Sequence, residues 1–269
     1  MNLRQYFLTE NPCYKAGRTI AVKGLMLHSI GCPQPDPMVL IRAWNSASYD
    51  RACAHGFIGE DAVYETLPML ETPGTAHRGW HGGGSSNNTH IGVEMCEPSC
   101  IKYIGGASFT CSDTAKAVAF VQKTTQSAVE LFAKLCKLHS LDPLAPGVIV
   151  SHAEGYKLGI ATNHGDPSHL WNGLGMDYDM DKFRAAVAAE MEDDMTKDQV
   201  LAIIKEYEDE KETAQPSDWS QEARTWAEGN GVIAGDGSGN MQYKAGCTRE
   251  QMVVFLYRLF NLIKSLFGK

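Results

Sequence analysis

The chain has 269 residues, 43% hydrophobic and 21% charged, which is an ordinary globular composition with room for one large domain or a medium and a small one. A net charge of -8 argues against nucleic acid or an anionic membrane as partner, because both are bound through clustered Lys and Arg. No apolar run approaches the roughly 20 residues that cross a bilayer, and Glu10 and Pro12 interrupt the N-terminus before a signal-peptide core could form. The expectation is a protein made in the cytoplasm without a signal peptide. The 8 cysteines include no Cys-x-x-Cys pair, so free thiols are expected, with a disulfide or second metal at Cys96 and Cys100 as the alternative.

In chain order, residues 19–28 read as a buried strand with His28 at its C-terminal end. Pro37 opens a helix over 37–47. Residues 55–58 and 62–66 read as a hairpin. The Gly, Ser, Asn and His content of 72–88 predicts a loop over a site. Strand character returns over 90–96. Residues 112–139 carry apolar positions at helical spacing behind Ser112 as N-cap, and 148–152 form a short strand ending on His152. A helix over 181–191 closes this part. Composition then changes: a charged helix over 196–212 leads to a unit with Trp219, Trp226, a glycine-rich turn over 229–239 and an apolar helix from Thr248. The boundary falls near 193, giving domains over 1–192 and 193–269.

His28, His152 and the run Asn163-His164-Gly165-Asp166-Pro167 lie on three separate segments. A hydrolytic zinc needs three protein ligands and one open position for water, and two histidines with one carboxylate meet that need. Glu94 sits within a strand that otherwise reads apolar, where an unpaired charge is costly. It reads either as an ion-paired strand residue or as a general base. His55 and His90 flank these positions and are candidates for orienting a ligand through the second ring nitrogen. His77, His139 and His169 are expected to be solvent-exposed.

The strand ending in His28, the hairpin carrying Tyr64, Gly79-Trp80-His81-Gly82, Asn87 to Glu94, and Ser151-His152 through Asp166-Pro167 follow one order over residues 18–191. In that order the sequence resembles the type-2 N-acetylmuramoyl-L-alanine amidases, the family of peptidoglycan-recognition proteins, bacterial anhydromuropeptide amidases and phage endolysins. The resemblance implies an α/β fold, a central mixed β-sheet flanked by helices, with Zn2+ at the floor of a groove. It implies His28, His152 and Asp166 as zinc ligands, Asp166 standing where other members use Cys, and Glu94 as the catalytic glutamate. His164 occupies the place of a lysine that stabilises the oxyanion in relatives; it is also a competent ligand and competes with Asp166 for the third position. Tyr64 matches an aromatic hydroxyl near the metal, and a half-buried hairpin tyrosine is the alternative. His81 and Trp80 are implied groove residues that contact substrate, with Trp80 also readable as core.

The segment from Trp219 through Thr248-Arg249 resembles one S-layer homology repeat, a small helical module that anchors proteins to secondary cell-wall polymer; Glu250-Gln251 stands where Ala-Glu is expected. A single copy is expected to bind wall polymer, to join copies into a homo-oligomer, or simply to pack its own Trp and Phe residues. Together these features imply a zinc amidase of peptidoglycan that cuts between N-acetylmuramic acid and L-alanine, a phage or prophage endolysin acting on the wall after release. The alternatives are a non-catalytic peptidoglycan receptor and a zinc peptidase of the stem peptide.

Overall fold

The structure, a computed structural model, describes residues 1–192, 197–235 and 240–267. It divides into two compact units, Met1–Asp194 and Met195–Lys269. The expected boundary near 193 and part of the glycine-rich turn, 236–239, lie outside the described residues.

The first unit is built on a six-stranded sheet: β1 (Leu3–Gln5), β3 (Gly24–Ser29), β4 (Gly56–Ile58), β5 (Val63–Glu65), β7 (His90–Met95) and β10 (Ile149–Ser151), in the order β1-β5-β4-β7-β3-β10. Only the β4–β5 hairpin is antiparallel, so the sheet is mixed. The predicted strand over 19–28 divides: β2 (Thr19–Ala21) leaves the main sheet and pairs with β6 (Thr75–His77), inside the segment expected to be loop.

Alternation along the strands separates two faces. Leu25, Leu27, Ile91, Val93, Ile58 and Ile149 face one way, into a core shared with the long helix α3 (Thr114–His139). Asp113, not Ser112, caps α3 by accepting from the Lys116 amide. A later helix, α6 (Met180–Glu192), packs on α3, with Phe132 and Phe183 edge to face at 5.2 Å. Burying each ring contributes roughly 1.5–3 kcal/mol.

The opposite face carries a smaller apolar cluster and the polar site. Pro37 and the Asp36 side chain start α2 (Pro37–Trp44), and α2 joins Phe57, Leu67 and Leu8 near the short α1 (Pro12–Lys15). Past β10 comes α4 (His152–Lys157), whose Ser151–Glu154 capping box fixes its first residue. Arg184 of α6 ties Glu154 (3.1 Å) and the Ile149 carbonyl (3.0 Å) together from behind. A hairpin that sequence patterning did not indicate, β8 (Ile101–Gly105) and β9 (Ser108–Cys111), and the short α5 (Ser168–Gly173) complete the unit. All eight cysteines are free.

The second unit contains α7 (Lys197–Thr213), α8 (Gln221–Gly229) and α9 (Arg249–Phe267). Thr248 and Gln251 exchange backbone-to-side-chain bonds at the start of α9, a capping arrangement that occupies the Thr248 hydroxyl. Trp219 is 88% exposed, and Val253, Leu256, Tyr257 and Phe260 of α9 are exposed as well. Among the described residues these side chains are not buried, whereas Phe255 is half-buried. No described helix is long and apolar enough to cross a membrane.

Candidate active site

Two adjacent strands place the first pair. His28 and Glu94 are register partners on β3 and β7, so both side chains rise from the same face of the sheet. The N-terminus of α4 brings His152 in from the neighbouring strand end, and the loop between α4 and α5 brings Asp166 over the sheet. Donor atoms of His28, His152 and Asp166 lie within 4.8 Å of one another, all three residues being buried. Nδ1 of His28 is 3.1 Å from Asp166 Oδ2 and 3.1 Å from Nδ1 of His152. The Ser29 amide also points at Asp166 Oδ2, at 3.4 Å.

The donor set itself tests whether a cation fits. The Thr162 hydroxyl donates to the Gly82 carbonyl (3.3 Å), so it accepts from Nε2 of His152 (3.1 Å), which leaves Nδ1 of His152 unprotonated. Nε2 of His28 likewise has a partner, Nδ1 of His81 at 3.0 Å. Two ring nitrogens and a carboxylate oxygen then converge as lone-pair atoms, an arrangement that repels itself unless a cation sits among them. Nitrogen and oxygen donors with a fourth side open to a groove suit zinc. Burial by itself raises the Asp166 carboxyl, but pairing with His152 and His28, whenever those rings are protonated, outweighs it and holds that group well below the usual carboxylate range. His28 is held below the usual histidine range by burial, against the pull of Asp166.

Above this cluster lies a groove of about 770 Å³, lined by the three residues together with Glu94, His81, His164, Trp44 and Tyr103. The Glu94 carboxyl makes no side-chain hydrogen bond among the described residues. Burial, reinforced by the charges of Asp166 and Glu97, pushes its pKa well above the ordinary value. Such a group readily takes and returns a proton. His164 stacks on His152, with ring centroids 4.5 Å apart and planes 6° apart, while its side chain is 61% exposed. It stands at the groove mouth, with Asp166 rather than His164 in the three-donor group.

Two expected residues lie outside the groove lining, and a third, His81, lines it with its ring engaged inside the protein. Tyr64 shares the face of Glu94, but fully buried Phe57 stands between them in register, and the Tyr64 hydroxyl accepts from Arg4 at 3.3 Å. It is not among the residues that line the groove over His28, His152 and Asp166. Trp80 is half-buried against the Phe57 cluster, its backbone bridged to Cys53, outside the groove lining. His81 borders the groove, but both ring nitrogens are used inside the protein, on His28 and on the His90 carbonyl (3.0 Å), so it has no free nitrogen for substrate.

The histidines expected to support ligands, His55 and His90, touch none of the three: His55 bonds the His77 carbonyl and the Gly92 amide, and His90 bonds Gly147 and Thr89. His139, expected to be exposed, is buried between the Gly74 amide and the Met69 carbonyl. His169 is no surface residue either. It meets Tyr103 at 2.6 Å, and that hydroxyl donates to buried Glu97 at 2.8 Å, so the β8–β9 hairpin supplies one wall of the groove. Burial raises Glu97 to about 6. Nothing in the periodicity of 101–111 marks this wall.

A family profile described as N-acetylmuramoyl-L-alanine amidase matches residues 18–169, more than half of the chain. Among solved structures, the chain is similar to the Staphylococcus aureus hydrolase AmiA in complex with its ligand, at 18% identity and a TM-score of 0.50, covering 71% of this chain and 82% of that one. It is also similar to the catalytic domain of XlyA (21% identity, TM-score 0.46, covering 70% and 99%). A mutant endolysin from Bacillus subtilis gives 19% identity, a TM-score of 0.47 and coverage of 70% and 99%. A search of the curated proteins found no match. The mixed central sheet with flanking helices matches the type-2 amidase fold, and by the profile match the chain belongs to the N-acetylmuramoyl-L-alanine amidase family of enzymes.

Proposed function

We propose that this enzyme is a zinc-dependent peptidoglycan amidase that cleaves the amide between the lactyl group of N-acetylmuramic acid and L-alanine, with His28, His152 and Asp166 holding the metal. The observation that carries this reading is the convergence of three buried lone-pair donors beside a buried carboxyl, Glu94, that has no side-chain hydrogen-bond partner among the described residues, in the lining of one groove. When bound there, zinc supplies Lewis acidity to water and to the scissile carbonyl. Glu94 takes a proton from the attacking water and returns it to the departing alanine amine. His164, at the groove mouth beside Asp166, donates a hydrogen bond to the developing oxyanion, an effect of about 2.7–4 kcal/mol in comparable sites. Trp44 and Tyr103, aromatic side chains that line the groove, hold the glycan and stem peptide.

The second unit is proposed to serve wall attachment or self-association through the exposed apolar side chains of α9, and its pairing with an amidase unit supports a phage or prophage endolysin. The decisive experiment is a cell-wall digest with end-group labelling. An amidase releases new alanine amino termini and no reducing ends; a peptidase exposes other amino termini; a receptor yields neither. Glu94→Gln should cut the release of alanine ends at least 100-fold while leaving one zinc per chain. Full activity in that variant would remove Glu94 from the reaction.

A further inference from the structure

We propose that His81 is a positioning residue that fixes the tautomer of His28: its ring keeps the His28 proton on Nε2 and so turns Nδ1 of His28, unprotonated, toward His152 and Asp166. This rests on the reading of His28 as a metal ligand and adds how that ligand is prepared.

Hydrogen-bond direction carries the inference. The His90 carbonyl can only accept, so Nε2 of His81, 3.0 Å away, bears a proton. No acidic side chain among the described residues bonds this ring, so it is neutral and its Nδ1 is an acceptor. Nε2 of His28, at 3.0 Å from that acceptor, must donate. Without His81 the balance reverses: the Asp166 carboxylate, 3.1 Å from Nδ1 of His28, would draw the proton onto that nitrogen and block the lone pair a cation needs. His81 and Asp166 thus compete for one proton, and the His90 carbonyl behind His81 decides the outcome.

The surroundings are shaped for this ring. A Cβ on Gly92 would lie 2.2 Å from Cγ and Nδ1 of His81, so only glycine in β7 leaves room for it over the sheet. The Asn87 side chain accepts from the His81 and Gly82 amides, both at 2.9 Å, and anchors the turn. The Gly82 carbonyl of the same turn sets the Thr162 hydroxyl that orients His152. One clamped turn therefore prepares both histidines.

The test compares the full chain with His81→Leu and His81→Gln, since the Gln amide can accept from His28 and donate to the His90 carbonyl. Imidazole 15N shifts of the metal-free proteins report the His28 tautomer, and chelator competition reports zinc affinity. The wild type and His81→Gln should show Nε2-protonated His28 and affinities within about threefold. His81→Leu should show Nδ1-protonated His28 and zinc binding weakened about 10- to 100-fold. Wild-type affinity in His81→Leu, or equal loss in His81→Gln, overturns the proposal. Nδ1-protonated His28 in the metal-free wild type overturns it even if a variant fails to fold. A wild type that binds no zinc defeats the ligand reading instead, and the tautomer still decides the role of His81.

Discussion

Gly92→Ala tests the packing on which the proposed metal centre stands. The new Cβ would meet His81 at 2.2 Å from Cγ and Nδ1 and 2.6 Å from Cδ2, far inside contact distance. The ring cannot slide away cheaply, because bonds of 3.0 Å to His28 and 3.0 Å to the His90 carbonyl hold it at both ends. Overpacking a core of this kind costs about 1–3 kcal/mol, and a displaced ring leaves the buried His28 N–H unpaired for about 1–3 kcal/mol more, so a loss of about 2–6 kcal/mol is expected. Urea denaturation of the metal-free protein at neutral pH, analysed at constant m-value, measures it. Gly229→Ala is the control: its Cβ would meet nothing within 4 Å, and its stability should change by less than about 1 kcal/mol. A Gly92→Ala protein within about 0.5 kcal/mol of wild type would falsify the claim that this glycine reserves the space of His81.

Asp166→Ala should lose zinc, whereas His164→Ala should keep it and lose about 100-fold in turnover, as removal of an oxyanion donor does; metal analysis showing the reverse would make His164 the ligand. His55 is buried with Nδ1 accepting from the Gly92 amide, and burial lowers its pKa to about 4. Its contribution is present above the unfolded value of 6.5 and is lost as pH falls toward 4, about 3 kcal/mol in all. His55→Gln keeps both hydrogen bonds without titrating, so its unfolding free energy should fall less than wild type's between pH 7.5 and 4.5; parallel profiles would exclude His55 as the source. For the second unit, sedimentation of the full chain should show self-association that Leu256→Asp with Phe260→Asp abolishes, without changing cleavage of a soluble muropeptide; a monomeric wild type at tens of micromolar concentration would leave wall attachment as the role of that face.

Much of the site was legible because it hangs on short-range pattern. Apolar strands ending in His28 and His152, and a carboxylate inside the β7 strand, stand out from residue order alone, as does the long amphipathic α3. The loop carrying His164 and Asp166 announces two candidates, but not which one turns inward. That choice depends on how the segment after α4 closes over the sheet, with His164 stacked outside on His152 and Asp166 buried beneath.

Sequence by itself determined which residues could do the chemistry; tertiary structure decided which of them meet. Strand order interposes Phe57 between Glu94 and Tyr64 and puts His28 beside Glu94, and no local periodicity encodes strand order. The roles of the histidines were decided the same way. Nine such residues look alike in a sequence, and only the partner of each ring nitrogen separates the proposed ligand His28 from its proposed support, His81, or from the structural clamps His55 and His139.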